Sequence, residues 1–316
     1  MRNYNSLVTH LGLKMLVESP LWPRYVERDP RRAVTTYWHY KMRAPLPLDH
    51  PQTLNEKIQW LKLYGDQQLW RQWADKQKAK ELLTERGLER YLTPTLGIWE
   101  SADTIDFASL PARFVLKCTH DCGSTVVVDN KEQLDIAKTR RMLSRRLRQP
   151  YGYHSTELHY IRIPRRIMAE AIIGGDEATV FTSLTDYKFW CFNGHAELCF
   201  ICYNRGKGTQ QHHVMKDLYR ADDFSPLREG LIPSERPHSE ELIPRPDNYE
   251  EMLHLAEQLS VGHPEVRVDL YNVGGKIYFG EMTFTSFGGI MRYFTPAMQR
   301  HLGQLTMLPE RSQASL

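Results

Sequence analysis

The sequence has no long apolar run and no strong excess of either charge. No segment approaches the ~20 consecutive apolar residues that cross a bilayer. Residues 1–18 lack the basic start and continuous apolar stretch of a signal peptide, so none is predicted. The formal net charge of +3 gives no electrostatic reason to expect a nucleic-acid partner. These absences predict a cytoplasmic protein, with a position at the inner face of the membrane left open.

Cysteine is scarce and scattered. The spacing of Cys199 and Cys202 is that of a zinc-binding pair, but both lie in strand-like apolar runs rather than in turn-rich knuckles. An odd number of cysteines does not indicate a disulfide framework. We therefore predict free thiols, mostly buried. The five cysteines are Cys118, Cys122, Cys191, Cys199 and Cys202.

The Walker A motif is also absent, so a phosphate-binding segment must be of another kind. One candidate is a strand that ends near Lys117 and runs into a small polar loop over residues 120–125. Glycine in such a loop allows close backbone approach, amide groups cradle oxygens, and lysine supplies charge. We predict a phosphate-covering hairpin, and a plain turn with an exposed lysine is the alternative. The candidate residues are Lys117, His120, Asp121, Gly123 and Ser124.

The remaining composition, 41% hydrophobic and 25% charged, is that of a soluble globular protein. The 316 residues suffice for two or three small domains. Helical and strand patterns intermix along the chain, which predicts an α+β protein with mixed α/β elements. Residues 1–50 are rich in proline and aromatic side chains. We expect them to pack on the body as a helical extension, and contact with a glycan or a membrane surface is the alternative.

Local signals predict the order of elements. Thr53 and Glu56 have capping-box spacing, which begins a helix. A second helix is predicted over residues 69–86, where Gly87 ends it. The other predictions are strands at 96–99, 114–118, 125–129, 165–170 and 186–192, and helices at 131–148 and 250–260.

Residues 204–247 are polar, with glycine, proline and histidine, and are predicted to form a long loop with little regular structure. Loops of that length are usually functional or disordered. We interpret this one as a candidate lining of an acceptor site, with the side chains of His212, His213, Lys216, Tyr219 and Arg220.

The most informative segment is a predicted β-hairpin near the end of the chain. Residues 266–271 alternate apolar side chains with Arg267 and Asp269, and residues 277–283 present Glu281. The Gly-Gly turn sets a register in which Asp269 and Glu281 can meet. Two carboxylates beside an arginine suit Mg²⁺ that carries phosphate oxygens. We predict a magnesium site for a nucleoside triphosphate, and an exposed hairpin decorated with charges is the alternative.

Other charged positions are candidates on weaker local evidence. Lys76 follows Asp75 in a predicted helix, where a solvated pair of charges is the simpler interpretation. Glu170 ends a strand-like segment that can present backbone groups to an adenine edge and a carboxylate to a ribose; an exposed loop glutamate is the alternative. Lys188 shares a strand face with Asp186, so both a functional charge and a solvent-facing charge stay open.

The order of these segments resembles the ATP-grasp superfamily, and in particular the TupA-like ATP-grasp proteins of teichuronopeptide and cell-surface polysaccharide biosynthesis. The resemblance extends over most of residues 50–290. Its carriers are LNEKIQWLKLY at 54–64, DFASLPARFVLKCTHDCG at 106–123, DYKFWCFNG at 186–194, and the hairpin with its flanks at 266–284.

The resemblance implies two α+β lobes that clamp Mg-ATP, preceded by an N-terminal helical region. It implies ATP and Mg²⁺ as cofactors. Many members have asparagine two residues after the final glutamate, where this chain has Thr283, and the stretch 285–289 lacks the proline expected in an acceptor-side loop. The implied regions are 1–50 (N-terminal extension), 51–110 (substrate side), 111–185 (first lobe), 186–295 (second lobe with the metal hairpin) and 296–316 (tail).

The resemblance also implies residue roles. Lys76 and Lys117 would hold ATP phosphates beneath the 120–125 loop, and Glu170 would lie at the adenine and ribose end. Lys188 would face the nucleotide or the acceptor, and Arg267 would stabilise the phosphorylated intermediate. The implied magnesium ligands are Asp269, Glu281 and Thr283.

The implied reaction is ATP-dependent joining of a carboxylate to an amine through an acylphosphate. The expected partners are a uronic acid on a nucleotide-linked or lipid-linked glycan and an amino acid or other amine. A glycosyltransferase of surface polysaccharide is one alternative, although no D-x-D-like motif suits it. An ATP-grasp kinase or a non-catalytic relative is another.

Overall fold

The structure, a computed structural model, describes residues 7–174, 184–203, 214–233 and 242–311. The chain divides into two compact units. The first unit comprises Met1–Gln67, Tyr153–Glu157 and Ala178–Leu316, and the second comprises Gln68–Gly152 and Leu158–Glu177. No helix in the described ranges is both long enough and apolar enough to cross a bilayer.

The N-terminal part of the first unit is helical, as predicted. It contains α1 (Leu7–Val17), α2 (Trp22–Arg28) and α3 (Pro30–Met42), followed by α4 (Leu54–Tyr64). Prolines lie in the first turns of α2 and α3, where a missing backbone N–H removes no helical hydrogen bond. The capping box at the start of α4 is present.

In the second unit, the helix predicted over residues 69–86 is wrong as a single element. The chain forms α5 (Gln67–Ala74) and α6 (Lys76–Glu85), because Asp75 adopts extended backbone angles and its side chain accepts a hydrogen bond from the Gln77 amide. Aspartate is a favoured cap at this position. For the same reason α7 (Ile136–Arg148) begins after Asp135 rather than at residue 131.

The sheet of the second unit is antiparallel, with strand order β1-β4-β2-β3. Its strands are β1 (Thr95–Trp99), β2 (Phe114–Cys118), β3 (Val126–Val128) and β4 (Ile167–Glu170). Val115 pairs with Glu170 and Lys117 with Met168, so Lys117 and Glu170 are diagonal neighbours on one face. The opposite face of β2 is buried in the core of this unit.

The first unit carries a five-stranded sheet in the order β7-β6-β5-β8-β9, with antiparallel pairs throughout. Its strands are β5 (Asp186–Phe192), β6 (His195–Tyr203), β7 (Met215–Arg220), β8 (Val266–Val273) and β9 (Lys276–Thr283). The predicted hairpin is present, and Asp269 lies opposite Glu281. Asp269 also lies opposite Lys188 of the neighbouring strand.

The prediction of a long loop over residues 204–247 is wrong where β7 lies, because Leu218 and Tyr219 of this strand are buried and the strand pairs with β6. His212 and His213 lie outside the described residues. Two further helices of this unit are α8 (Tyr249–Ser260) and α9 (Pro296–Leu305). Of the five cysteines, Cys122 is exposed and the others are buried.

Candidate functional site

The hairpin of the first unit carries a buried ion pair. Arg267 donates from Nε to Asp269 Oδ1 at 2.6 Å and from Nη2 to Asp269 Oδ2 at 2.7 Å. The two side chains are only 8% and 3% exposed. Both lie on the same face of β8, two residues apart, which produces this two-pronged geometry. We call Asp186, Lys188, Arg267, Asp269 and Glu281 the hairpin cluster.

Lys188 of β5 joins this pair from the next strand. Its ammonium group contacts Asp269 and lies 2.7 Å from Asp186 Oδ2. Burial by itself would lower the pKa of Lys188, but Asp269 and Asp186 hold it above its ordinary value. Burial likewise favours neutral Asp269, yet Arg267 and Lys188 keep its pKa below the usual range. Lys188 and Asp269 therefore stay charged although both are buried in the first unit.

Glu281 is the accessible carboxylate of the cluster, with 39% of its side chain exposed. It accepts a hydrogen bond from Thr283 Oγ1 at 3.2 Å, and Arg267 Nη2 lies 3.4 Å away. A bulge follows Asp269 in the ladder, and a side chain at Gly280 would collide with the Asp269 carbonyl. Glycine there lets β9 bend and present Glu281 beside Asp269.

The predicted ligand Thr283 already has hydrogen-bond partners. Its hydroxyl accepts from Arg267 Nη2 at 3.1 Å and donates to Glu281. Three carboxylates and two cations leave the hairpin cluster with one net negative charge, and Glu281 is its accessible member. Among the described residues no group of three His, Cys, Asp or Glu side chains is arranged to hold a metal ion.

The second unit carries a cluster of opposite charge, formed by Lys80, Lys117 and Glu170. We call it the lysine cluster. Lys80 Nζ lies 2.5 Å from Glu170, and Lys117 contacts the other oxygen of the same carboxylate. Burial would raise the pKa of Glu170, but the two lysines lower it. Burial lowers the pKa of Lys80 despite Glu170. One carboxylate between two lysines leaves an excess positive charge.

The loop over residues 120–125 has a defined shape. Ser124 Oγ donates to Asp121 Oδ1 and accepts from the Cys118 amide at 2.8 Å, and Lys76 donates to the Asp121 carbonyl. Gly123 has φ +85° and is exposed, with no atom near the position of a side chain. It is therefore open to close approach by a ligand.

His120 is buried at the start of this loop. Neither ring nitrogen makes a well-formed hydrogen bond among the residues that the structure describes. Burial lowers the pKa of His120, although Asp121 and the backbone of Arg146 favour the charged ring. A buried imidazole of this kind is a group that a ligand can satisfy.

The structure thus brings the predicted residues together in two sets. In the second unit Lys117 meets Glu170, while Lys76 reaches the loop that follows β2. That loop holds His120, Asp121, Gly123 and Ser124. The first unit brings together Lys188, Arg267, Asp269, Glu281 and Thr283.

Sequence reasoning missed Lys80, Asp186 and Ser286. Lys80 follows Lys76 by one helical turn, and this i, i+4 spacing could have revealed it. Asp186 shares its strand face with a candidate lysine, which is the signal that could have included it. Ser286, which lies 3.2 Å from Arg267 Nη1, follows the hairpin and gives no local signal.

The chain belongs to the TupA-like ATP-grasp family, whose model matches residues 56–307. It therefore has the ATP-grasp fold that the resemblance implied, and the match favours that class over the glycosyltransferase alternative. No curated protein sequence matches the chain.

Solved structures of ATP-grasp ligases are similar at low identity. D-alanine–D-alanine ligase from Bacillus anthracis complexed with ATP is 14% identical, with a TM-score of 0.37, and the match covers 67% of this chain and 54% of that chain. This chain thus spans about half of that ligase. The ATP-grasp ligase PsnB complexed with minimal precursor, Mg and ADP is 11% identical, with a TM-score of 0.42 and coverage of 92% and 75%.

Proposed function

We propose that this chain is an ATP-dependent carboxylate–amine ligase. It would join an amino acid or other amine to a uronic acid in cell-surface polysaccharide biosynthesis, on the cytoplasmic side of the membrane. The observation that carries the proposal is the hairpin cluster, in which buried Arg267 and Lys188 flank Asp269 and leave Glu281 accessible. Membership of the ATP-grasp family supports ATP as the energy source.

The lysine cluster fits the nucleotide. Lys80 and Lys117 share one carboxylate, Glu170, so their excess charge suits phosphate oxygens. Glu170 would orient the two lysines and lie at the adenine and ribose end of the site.

The loop after β2 supplies further groups for a nucleotide. The open surface of Gly123 and the ring N–H of His120 can contact its oxygens. The hydrogen bonds of Lys76, Asp121 and Ser124 would keep the loop in shape for this role.

The hairpin cluster fits Mg²⁺ in the chemistry of its donors. Glu281 would be the main ligand, with Asp269 beside it and the Thr283 hydroxyl within the same group. Magnesium accepts one or two carboxylates when phosphate oxygens complete its shell. When bound, Mg²⁺ would neutralise charge on the transferring phosphoryl group.

The reaction has two steps. A carboxylate oxygen of the acceptor attacks the γ-phosphorus of ATP; the bond to the β,γ-bridging oxygen breaks, and ADP leaves. The amine nitrogen then attacks the acyl carbon, the bond to the phosphate oxygen breaks, and the products are an amide, phosphate and a proton. Arg267 and Lys188 would stabilise the negative oxygens in both steps, because their charges are fixed before the reaction begins.

The first test is ADP release from Mg-ATP with a panel of uronic acids and amines, each alone and in pairs. Glu281→Gln is expected to reduce ADP release at least about 100-fold, since a neutral amide binds magnesium weakly. Its fold should stay intact by circular dichroism. Glu250→Gln, which alters an exposed carboxylate of the same unit, is the matched control and should keep wild-type turnover.

The pattern of ADP release separates the candidate functions. ADP that forms only when a carboxylate and an amine are both present supports the ligase. ADP formed with a hydroxyl acceptor alone would indicate a kinase. Wild-type turnover in Glu281→Gln, or binding of a UDP-sugar with no use of ATP, would contradict the proposal.

A further inference from the structure

A cavity of about 650 Å³ lies in the first unit, separate from the hairpin cluster. Its volume is within the range of small-molecule sites. One side comes from α3 and the residue that ends it, and the other comes from the segment after β9. The residues that matter for its chemistry are Tyr37, Tyr40, Lys41, Arg43, Phe287 and Arg292.

The cavity is cationic. Lys41, Arg43 and Arg292 line it, and none of the described residues in its lining is acidic. Arg292 donates from Nη2 to the Lys41 carbonyl, which joins the two sides of the cavity. The carboxylate of Glu18 accepts a hydrogen bond from the Tyr40 hydroxyl at 3.4 Å, and its charge is offset by Lys14, whose Nζ lies 4.0 Å away. Three positive charges at one small cavity favour an anionic ligand.

The cavity is also aromatic. The Lys41 ammonium lies over the Tyr40 ring at 4.5 Å and over the Tyr37 ring at 5.6 Å. Phe287 is 63% exposed and has φ +52°, an unfavourable conformation for a bulky residue. Strain of this kind clusters at functional positions. Flat apolar faces beside cations suit an acidic sugar, whose ring can pack on aromatic surface.

The segment that carries Phe287 is held firmly by α4. Gln59 Nε2 donates to the carbonyls of Gly288 and Gly289 at 3.0 and 2.9 Å, and Lys62 Nζ donates to the Gly288 carbonyl at 2.6 Å. A side chain at Gly289 would collide with Gln59. The wall of the cavity is therefore formed before any ligand arrives.

The same segment connects the cavity to the hairpin cluster. Ser286, next to Phe287, lies 3.2 Å from Arg267 Nη1. A ligand that packs on Phe287 would therefore touch the residue that directly follows Ser286, and Ser286 contacts Arg267. Moreover, Tyr37 to Arg43 precede the family match at residues 56–307, so this side of the cavity lies outside the matched region.

We propose that this cavity binds the acidic saccharide acceptor, with its oxyanion among the three cations and its sugar ring against the aromatic side chains. The proposal rests on the ligase function proposed above. The oxyanion is either the sugar carboxylate or the phosphate of the sugar carrier, and cationic side chains recognise both.

Binding without ATP tests the cavity by itself. We would titrate the full chain with glucuronate, glucose 1-phosphate and glucose, and follow the sugar by saturation-transfer NMR. The double variant Lys41→Gln/Arg43→Gln should weaken binding of the acidic sugars at least about tenfold, while glucose should bind poorly to both proteins. The matched control Lys276→Gln/Arg300→Gln removes two exposed charges of the same unit and should bind like wild type.

Glucuronate and glucose 1-phosphate show whether the cavity recognises the sugar carboxylate or the carrier phosphate. Glucuronate binding assigns the sugar carboxylate, and binding of glucose 1-phosphate alone assigns the carrier phosphate. Equal binding of glucose, or acidic-sugar binding that is unchanged in the double variant, would overturn the proposal.

The ligase function can fail separately. Binding of the acidic sugars without any ADP release would support the proposed sugar site and contradict the ligase function. If the double variant releases ADP with an unchanged KM for the uronate, the proposed sugar site is contradicted but the ligase function is not.

Discussion

The hairpin cluster and the lysine cluster are built from the same kinds of residue but carry opposite excess charge. In the hairpin cluster three carboxylates face two cations, and in the lysine cluster two lysines face Glu170. Within each cluster the ion pairs hold the groups in position, and one charge is left in excess. The ion pairs thus set the geometry, and the excess charge sets the class of ligand.

The clusters also differ in depth. Arg267 and Asp269 are almost fully buried, whereas Lys117 keeps part of its side chain exposed. A buried pair that loses one partner leaves a charge without compensation, but a partly exposed lysine can be solvated by water. Substitutions of the buried members of the hairpin cluster should therefore change stability most, and substitution of Lys117 should mainly change nucleotide affinity.

The largest expected effect on stability is that of Asp269→Asn. The amide keeps the shape of the side chain but leaves Arg267 and Lys188 without their shared carboxylate, which should lower the free energy of unfolding by about 3–5 kcal/mol. Urea unfolding of the full chain measures it. Glu281→Gln is the matched control, because loss of its accessible charge should lower stability by less than about 1 kcal/mol. Equal free energies of unfolding for Asp269→Asn and Glu281→Gln would contradict the expectation that the buried ion pair contributes more to stability than the accessible carboxylate.

A smaller effect is expected in the second unit. Lys117→Met should weaken ATP binding about 10- to 100-fold, or about 1.4–2.7 kcal/mol, with little loss of stability. Lys80→Met should instead lower stability, because Lys80 also donates to the Thr93 carbonyl and to Thr95. Fluorescence titration with an ATP analogue and urea unfolding separate the two effects.

Lys138→Met, on the exposed face of α7, is the control for both lysine variants. It removes one positive charge from the same unit without a contact to Glu170. If Lys117→Met bound ATP as tightly as this control, the lysine cluster would not be a phosphate site.

The hairpin could be predicted from the sequence more completely than the clusters that surround it, for a physical reason. A tight turn fixes cross-strand register, so Asp269 and Glu281 could be paired from their distances to the Gly-Gly turn. Lys188 reaches Asp269 only because β5 lies beside β8, and sheet order depends on long-range packing that no local pattern reports.

In the second unit, a helix boundary likewise could not be predicted from the local sequence pattern. The periodicity of residues 69–86 is continuous, and only the cap formed by Asp75 divides it into α5 and α6. After this break, α6 carries both Lys76, which contacts the loop after β2, and Lys80, which contacts Glu170. Whether such a side chain caps a helix or stays solvated is decided by its tertiary neighbours, which is why the break at Asp75 could not be predicted from the local pattern.

The smallest expected effect concerns Glu265, a carboxyl that lies beside the hairpin cluster but outside its ion pairs. It accepts a hydrogen bond from Trp190 Nε1 at 3.0 Å, and burial raises its pKa to about 8 against the effects of Trp190 and Arg267. A raised carboxyl pKa contributes stability that is complete below the unfolded value near 4.5 and is lost as the pH rises through about 8. Glu265→Gln keeps the acceptor and removes the titration. Its free energy of unfolding, measured from pH 4.5 to 8.5, should rise relative to wild type by at least about 1 kcal/mol. A difference that stays constant over that range would mean that Glu265 ionises in the folded chain as it does in the unfolded one.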